Sequence, residues 1–364
     1  MEQDRLCGDC VMKDFLTLSD FSGEEIQEIV NLALELKKAR GGRRTPLFNR
    51  RTPLSNRWTP LSDRLTPLAG KTAVLIFDKP SLRTKLTFQT AIYELGGNAV
   101  DMPSSNGRLG ERESIYDIAK NLERWVHLLI VRTYDDNAVR ELAKHTGIPV
   151  INALTDKYHP CQSIAFGLTV KEKFGDKKVK VAFVGDGNNV CVSHAKYCAK
   201  VGYEFVAITP KGYEPPATDI PEGILVTNNI SKGIKDADVV YTDVWASMGQ
   251  EGEIERRLKD FEGYRVDGKM MAKANSNYTS GSRSPAFSHC LPAHRGVEVT
   301  DEVLDGPNSI VFDEAENRLH AHKAIMLYML DRARRSGNGV RRSDNIGGKI
   351  DGEQWKNKDW YSWA

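Results

Sequence analysis

From Thr72 onward, short apolar runs alternate with amphipathic stretches, and this alternation constrains the fold more than anything else in the chain. The runs fall at residues 72–77, 98–102, 127–132, 149–152, 179–184, 204–209, 238–243, 285–290 and 309–313, with helical patterns between most of them. Strands separated by helices read as parallel α/β sheets. The 364 residues are enough for two such units. Residues 162–174 read as a helix leaving one unit for the strand at Val179, which puts the boundary near 155–165. An amphipathic helix over 318–336 closes the pattern, and a polar, Gly-rich tail follows from Gly337. Before the alternation, residues 24–38 carry Ile26, Ile29, Val30, Leu32, Leu34 and Leu36 at helical positions. There Ser22 is the expected N-cap and Glu25 the partner in a capping box.

The composition excludes several classes. Apolar residues make up 40% and charged residues 27% of the chain, as in a soluble globular protein. A net charge near +2 gives no case for a nucleic-acid surface, and no apolar run is long enough to span a membrane. The acidic start, Met1-Glu2-Gln3-Asp4, lacks the form of a signal peptide, so a cytoplasmic location is expected. Six cysteines in a chain of this length do not form a disulfide scaffold. Cys7 and Cys10 form a lone C-x-x-C without nearby partners and read as an ordinary reduced pair. A Thr-Pro-Leu repeat at Thr45, Thr52, Thr59 and Thr66 has a period of seven, but proline in every unit rules out a coiled coil. It reads as a local duplication in an exposed, basic segment.

Functional groups in open α/β sheets gather at the carboxyl ends of strands. By that rule, the strand over 72–77 delivers Ser81, Arg83 and Thr84 to the start of a helix expected over 86–95. Unpaired N–H groups at a helix N-terminus and an arginine fork both suit phosphate. The later strands deliver Arg132, His159 with Gln162, Asn189, Asp243 with Ser247 and Met248, and Cys290 with Leu291. The first half thus offers groups for a phosphate beside a carbonyl, and the second offers groups for a small amino acid. Each signal alone has a plain structural reading. Ser-x-Arg-Thr also describes a helix cap, His159 a satisfied loop histidine, Asp243 a turn cap and Cys290 a small buried residue. Gly185-Asp186-Gly187-Asn188-Asn189 lacks the full dinucleotide fingerprint.

Taken together, five motifs resemble the ornithine branch of the aspartate/ornithine carbamoyltransferase family. They are Ser81-Leu82-Arg83-Thr84, His159-Pro160-Cys161-Gln162, Asp243-Val244-Trp245-Ala246-Ser247-Met248-Gly249, His289-Cys290-Leu291-Pro292-Ala293 and Phe312-Asp313-Glu314-Ala315-Glu316-Asn317-Arg318-Leu319-His320. The likeness runs from about residue 13 to 333. It implies two α/β domains, each a mostly parallel sheet flanked by helices, with the active site in the cleft between them. Residues 1–155, completed by the helix over 318–336, would bind carbamoyl phosphate, residues 156–317 would bind ornithine, and 337–364 form a polar tail.

The resemblance also implies roles. Ser81, Arg83 and Thr84 hold the phosphate, with Leu82 offering only its backbone. Arg132 and His159 reach the carbonyl oxygen. Gln162 and the backbone carbonyls of Cys290 and Leu291 accept the carbamoyl NH2, and Arg318 closes on the same ligand. Asn189, Asp243, Ser247 and Met248 take the amino-acid end of ornithine, and Cys290 lies near its δ-nitrogen. Cys290 is expected to position the amine; acting instead as a covalent nucleophile, it would give ping-pong kinetics. The implied assembly is a homotrimer in which a neighbour's loop completes each site. The reaction calls for no metal or other cofactor.

The pattern is not followed everywhere. Leu82 stands where Thr or Gly is usual, Lys85 replaces a common Arg, and Arg108 stands where Gln or His is common. Arg108 is expected to bring a cation to the adjacent phosphate. The repeat and a polar stretch at 275–284 are foreign to the family and touch no motif. Alternative acceptors are putrescine or an N-acylated ornithine, and a binding protein without turnover is the non-enzyme alternative. Asp243 favours ornithine, because a free α-ammonium wants a carboxylate partner.

Overall fold

The computed structural model describes residues 14–42, 66–102, 107–246, 251–274 and 284–335. The Cys7–Cys10 pair, most of the Thr-Pro-Leu repeat, Ser247 and Met248, nearly all of the 275–284 stretch and the tail lie outside them. A first helix, α1 (Gly23–Gly42), precedes two parallel sheets. The predicted capping box is present: Glu25 N–H donates to Ser22 Oγ at 3.2 Å, and Ser22 N–H donates to Glu25 Oε2 at 2.8 Å.

The front lobe runs β1 (Thr72–Phe77), α2 (Leu82–Glu94), β2 (Asn98–Met102), α3 (Ile115–Trp125), β3 (Leu128–Arg132), α4 (Asp136–His145) and β4 (Val150–Leu154). Its strand order is β2-β1-β3-β4, all parallel. Next comes α5 (Pro160–Phe174), which is buried along most of its length. The rear lobe runs β5 (Lys180–Val184), α6 (Asn189–Val201), β6 (Glu204–Ile208), β7 (Leu225–Thr227), α7 (Ile230–Ile234), β8 (Val239–Thr242), α8 (Ile254–Asp260), α9 (Gly268–Ala274), β9 (Ala286–His289) and α10 (Asp301–Leu304). Its order is β7-β6-β5-β8-β9, again all parallel.

The final helix, α11 (Val311–Arg335), returns to pack on α1, α2 and α5. One apolar core, including Phe88, Phe166, Phe183, Tyr241 and Met326, therefore passes through both lobes. Gly167 permits this at the α5–α6 contact, where a Cβ would meet the Tyr197 hydroxyl at 2.1 Å.

Three expectations need correction. Residues 309–313 do not form a strand: Ser309 makes an isolated bridge to Phe287, and the chain enters α11 at Val311. An apolar run of this length does not distinguish a strand from the first turn of a buried helix. The same helix therefore begins before residue 318. The helix expected over 86–95 begins at Leu82, so Arg83 and Thr84 lie in its first turn. The short edge strand β7 was not predicted, since its three residues are too few for a period to show.

Candidate active site at the switch points of two sheets

In both sheets the strand order reverses beside the strand that starts the unit, at β1/β3 in front and β5/β8 behind. Side chains just past those strand ends face one cleft of about 1590 Å³. All the predicted site residues that are described line it, except that Leu82 turns most of its side chain to solvent.

On the front side, Ser81 caps α2, its Oγ accepting from Thr84 N–H at 3.2 Å. Thr84 is buried, and its Oγ1 accepts a hydrogen bond from Arg318 Nη2. Arg132 ends β3 opposite Phe77 of β1. Burial, with the like charges of Arg318 and Arg83, pulls the Arg132 guanidinium down to about 10, still cationic at neutral pH. Burial and Arg83 likewise lower Arg318. Three guanidiniums lining one cleft, two of them destabilised by burial and by their cationic neighbours, favour an anion among them. Arg83 Nε donates to Leu291 O at 3.2 Å, which ties the two lobes across the cleft.

His159 stands at the N-terminus of α5, its backbone N–H held by Ser193 Oγ at 2.8 Å. Burial first, then the charges of Arg318 and Arg132, keep its imidazole neutral far below the usual histidine range. It can therefore offer a ring N–H but does not hold a positive charge. Gln162 lies one turn on, also buried.

The rear side is built around Asp243, just past β8. Its Oδ1 accepts from Cys290 Sγ at 2.8 Å and from Val244 N–H at 2.8 Å, and its Oδ2 accepts from Asn188 Nδ2 at 2.8 Å. Asn188 also caps α6 through Oδ1, which fixes the end that donates to Asp243. Asn188 was missed as a site residue. The signal was present in the doubled asparagine, where one residue caps the helix and its neighbour lines the cleft. Asn189 donates to Thr155 O at 2.6 Å. Gly187 lies against the chain at Pro215, where a Cβ would meet the backbone nitrogen at 2.2 Å, so the glycines here serve a tight turn. Burial, followed by the charge of Asp243, drives the Cys290 thiol well above its usual range. It is a thiol donor to Asp243, not a thiolate.

Two further carboxyls flank this half. Burial raises Asp186 to about 6 despite Arg257, whose Nη1 donates to it at 3.0 Å. Glu298 holds His289 Nε2 at 3.3 Å, while His289 Nδ1 accepts from Leu291 N–H at 2.8 Å. Asp243, His289 and Cys290 each offer a ligand atom within 4.8 Å of the others. Both ring nitrogens of His289 are already engaged, and the thiol is given to Asp243, so a cation there would have to displace these contacts.

The departures have structural reasons. Lys85 pairs with Asp101 of β2 at 2.6 Å, away from the arginine cluster. Arg108 lies over the Tyr134 ring, 4.5 Å from its centroid, on the wall of its own chain's cleft. Its loop is held by Leu109 N–H donating to Asp78 Oδ2 at 3.2 Å.

Comparison with known proteins agrees with this fold. Residues 13–172 match the family model described as the aspartate/ornithine carbamoyltransferase carbamoyl-P binding domain, and residues 177–329 match the Asp/Orn binding domain of the same family. A curated relative from Carboxydothermus hydrogenoformans, an ornithine carbamoyltransferase, is 43% identical over 330 residues, covering 87% of this chain and 97% of the relative. The ornithine carbamoyltransferase of Methanocorpusculum labreanum is 42% identical over 326 residues, covering 87% of this chain and 98% of its own length. Among solved structures, the Pyrococcus furiosus ornithine carbamoyltransferase superposes with a TM-score of 0.76 at 41% identity, covering 87% of this chain and 97% of that one.

Proposed function

The chain belongs to the aspartate/ornithine carbamoyltransferase family, and on that premise we propose how its residues divide the transfer of a carbamoyl group from carbamoyl phosphate to the δ-amine of ornithine. The products are citrulline and phosphate. The observation that carries the division is the facing of unlike halves: Arg83, Arg132 and Arg318 on one wall, and Asp243 with its Asn188 and Cys290 donors on the other.

Ser81, Arg83 and Thr84 hold the phosphate, where the α2 N-terminus adds a favourable dipole. The neutral δ-amine attacks the carbamoyl carbon, negative charge grows on the carbamoyl oxygen, and the carbon–oxygen bond to phosphate breaks, the proton shed by the nitrogen leaving on the phosphate. Arg132 and neutral His159 donate to that oxygen, and fixed donors of this kind typically lower a barrier by about 3–4 kcal/mol each. Gln162 accepts from the carbamoyl NH2. Asp243 and Asn189, with Ser247 and Met248, take the α-ammonium and carboxylate of ornithine. Cys290, held as a thiol, positions the amine and forms no acyl intermediate.

We divide the chain at residues 155–156, with α11 returning to the front domain, a division supported by its packing on α1, α2 and α5. Assembly as a homotrimer is supported by edge strand β2, whose residues 98–101 are exposed, and by exposed Tyr93, Tyr116 and Trp125 on the same lobe. In such an assembly Arg108 supplies a cation beside a bound phosphate. The free thiols of Cys161, Cys191, Cys198 and Cys290 fit a reducing cytoplasm.

A steady-state assay with ornithine, acetylornithine, putrescine and aspartate as competing acceptors tests the reading. Citrulline from ornithine should dominate. Binding of carbamoyl phosphate without turnover of any acceptor would favour a binding protein, and a preference for putrescine or acetylornithine would reassign the rear pocket.

A further inference from the structure

Glu314 shares its motif with Arg318 but takes no part in the transfer itself, and it is buried at the junction of both lobes. It lies in the first turn of α11 and is 1% exposed. Its Oε1 accepts from Gln162 Nε2 of α5 at 2.5 Å and from the Tyr241 hydroxyl of β8 at 2.8 Å. Its Oε2 accepts from the Ser288 hydroxyl of β9 at 2.5 Å. Burial raises its carboxyl, while these three donors and the nearby charge of Arg318 oppose that rise. Burial and Glu314 itself keep the Tyr241 phenol protonated, so it remains a donor.

A side-chain amide has an accepting end and a donating end, and a carboxylate can only accept. Glu314 therefore holds the NH2 end of Gln162, and the other end must point elsewhere. Gln162 Oε1 is buried and has no hydrogen-bond partner among the described residues, and Gln162 lines the cleft. A buried acceptor left in that state typically costs about 1–3 kcal/mol, which a ligand N–H can recover.

We infer that Glu314 is a positioning residue: its buried carboxylate fixes the Gln162 amide in the one orientation that offers Oε1 to the carbamoyl NH2 of the donor. The inference rests on carbamoyl phosphate being the ligand of the front half. Selection of a carbamoyl group over a carboxyl or a bare phosphate is thus set by a residue that touches neither substrate.

Two stable probes separate this role from general support of the fold. Phosphonoacetamide carries the NH2, and phosphonoacetate has a carboxylate oxygen in its place. In the full-length enzyme, Glu314→Gln frees the Gln162 amide to turn. The ratio of the two dissociation constants should then shift about tenfold toward phosphonoacetate, with the affinity for methylphosphonate unchanged. Ser288→Ala alters the surroundings of Glu314 without touching Gln162 and should leave the ratio as it was. An unchanged ratio in Glu314→Gln, or equal weakening of all three probes, would overturn the inference.

A second readout needs no variant. In the wild-type enzyme with 15N-labelled glutamine side chains, the Gln162 NH2 protons should be protected from exchange, and should stay so when phosphonoacetamide binds. Unprotected NH2 protons, or protection gained only with the ligand, would also overturn it. Loss of citrulline formation in the wild type alongside a shifted ratio would count against the acceptor assignment alone. Citrulline formation with an unshifted ratio would count against the role of Glu314 alone.

Discussion

The front and rear halves of the cleft obtain their charge in opposite ways. In front, three arginines converge from separate elements, the start of α2, the end of β3 and α11, and burial beside cationic neighbours weakens the hold of Arg132 and Arg318 on their protons. Behind, the carboxylate of Asp243 is surrounded by donors that the protein supplies: a thiol, an amide and a backbone N–H. The front half is poised for an anion to relieve repulsion, whereas the rear half is already satisfied and must exchange a protein donor for a substrate cation. Binding the donor should therefore draw on long-range charge, and binding the acceptor on local geometry.

The largest test of that contrast is acidity. Four histidines are buried and held neutral by desolvation: His320 (about 4) and His322 on α11 with the front lobe, His159 at the junction of the lobes, and His194 (about 3) behind. Their folded values lie below the unfolded value of 6.5, so above pH 6.5 neither state is charged and stability is level. Below it the unfolded chain takes protons that the native chain refuses, and stability falls by on the order of 1 kcal/mol per pH unit for each histidine. The raised carboxyl of Asp186 (about 6) acts in the opposite sense, because the native state takes its proton first, and this offsets part of the loss in the rear lobe. Hydrogen exchange between pH 7 and 5.5 should show the front lobe loosening before the rear; uniform loosening would erase the distinction.

Next in size is Arg132→Met, which removes a donor to the growing oxyanion and should lower kcat about 10²–10³-fold with the ornithine KM little changed. Asp243→Asn should raise the ornithine KM about 10-fold or more while moving the carbamoyl phosphate KM less than about twofold. Equal changes in both constants would dissolve the division between the halves. The smallest effect is expected at the cleft wall, where Arg108→Gln should weaken carbamoyl phosphate by a few-fold, more at low salt than at high. No change in that affinity would leave Arg108 as a loop cation over Tyr134.

The two halves were also unequally legible. In front, Ser81, Arg83, Thr84 and Arg132 follow directly from strands whose apolar runs are continuous, so the rule about strand ends leads to the wall of the cleft. The capping box at Ser22 and Glu25 was readable for the same reason: it is local. Behind, Asp243 and Cys290 were placed, but the donor that orients Asp243 is Asn188, which sequence spacing cannot separate from Asn189. Glu314 was invisible as a working residue, because its three partners come from α5, β8 and β9, up to 152 positions away. The mistaken strand at 309–313 has a different origin: adjacent Ile310 and Val311 are both buried, so the short run shows no helical period to read.

The most direct measurement is a crystal structure with a compound that joins a phosphonoacetyl group to the δ-nitrogen of ornithine. The account predicts the phosphonate on Ser81, Arg83 and Thr84, the amide oxygen at Arg132 and His159, and the α-ammonium on Asp243. A phosphonate seated away from the α2 N-terminus, or an α-ammonium that leaves Asp243 with Cys290 and Asn188 alone, would contradict it.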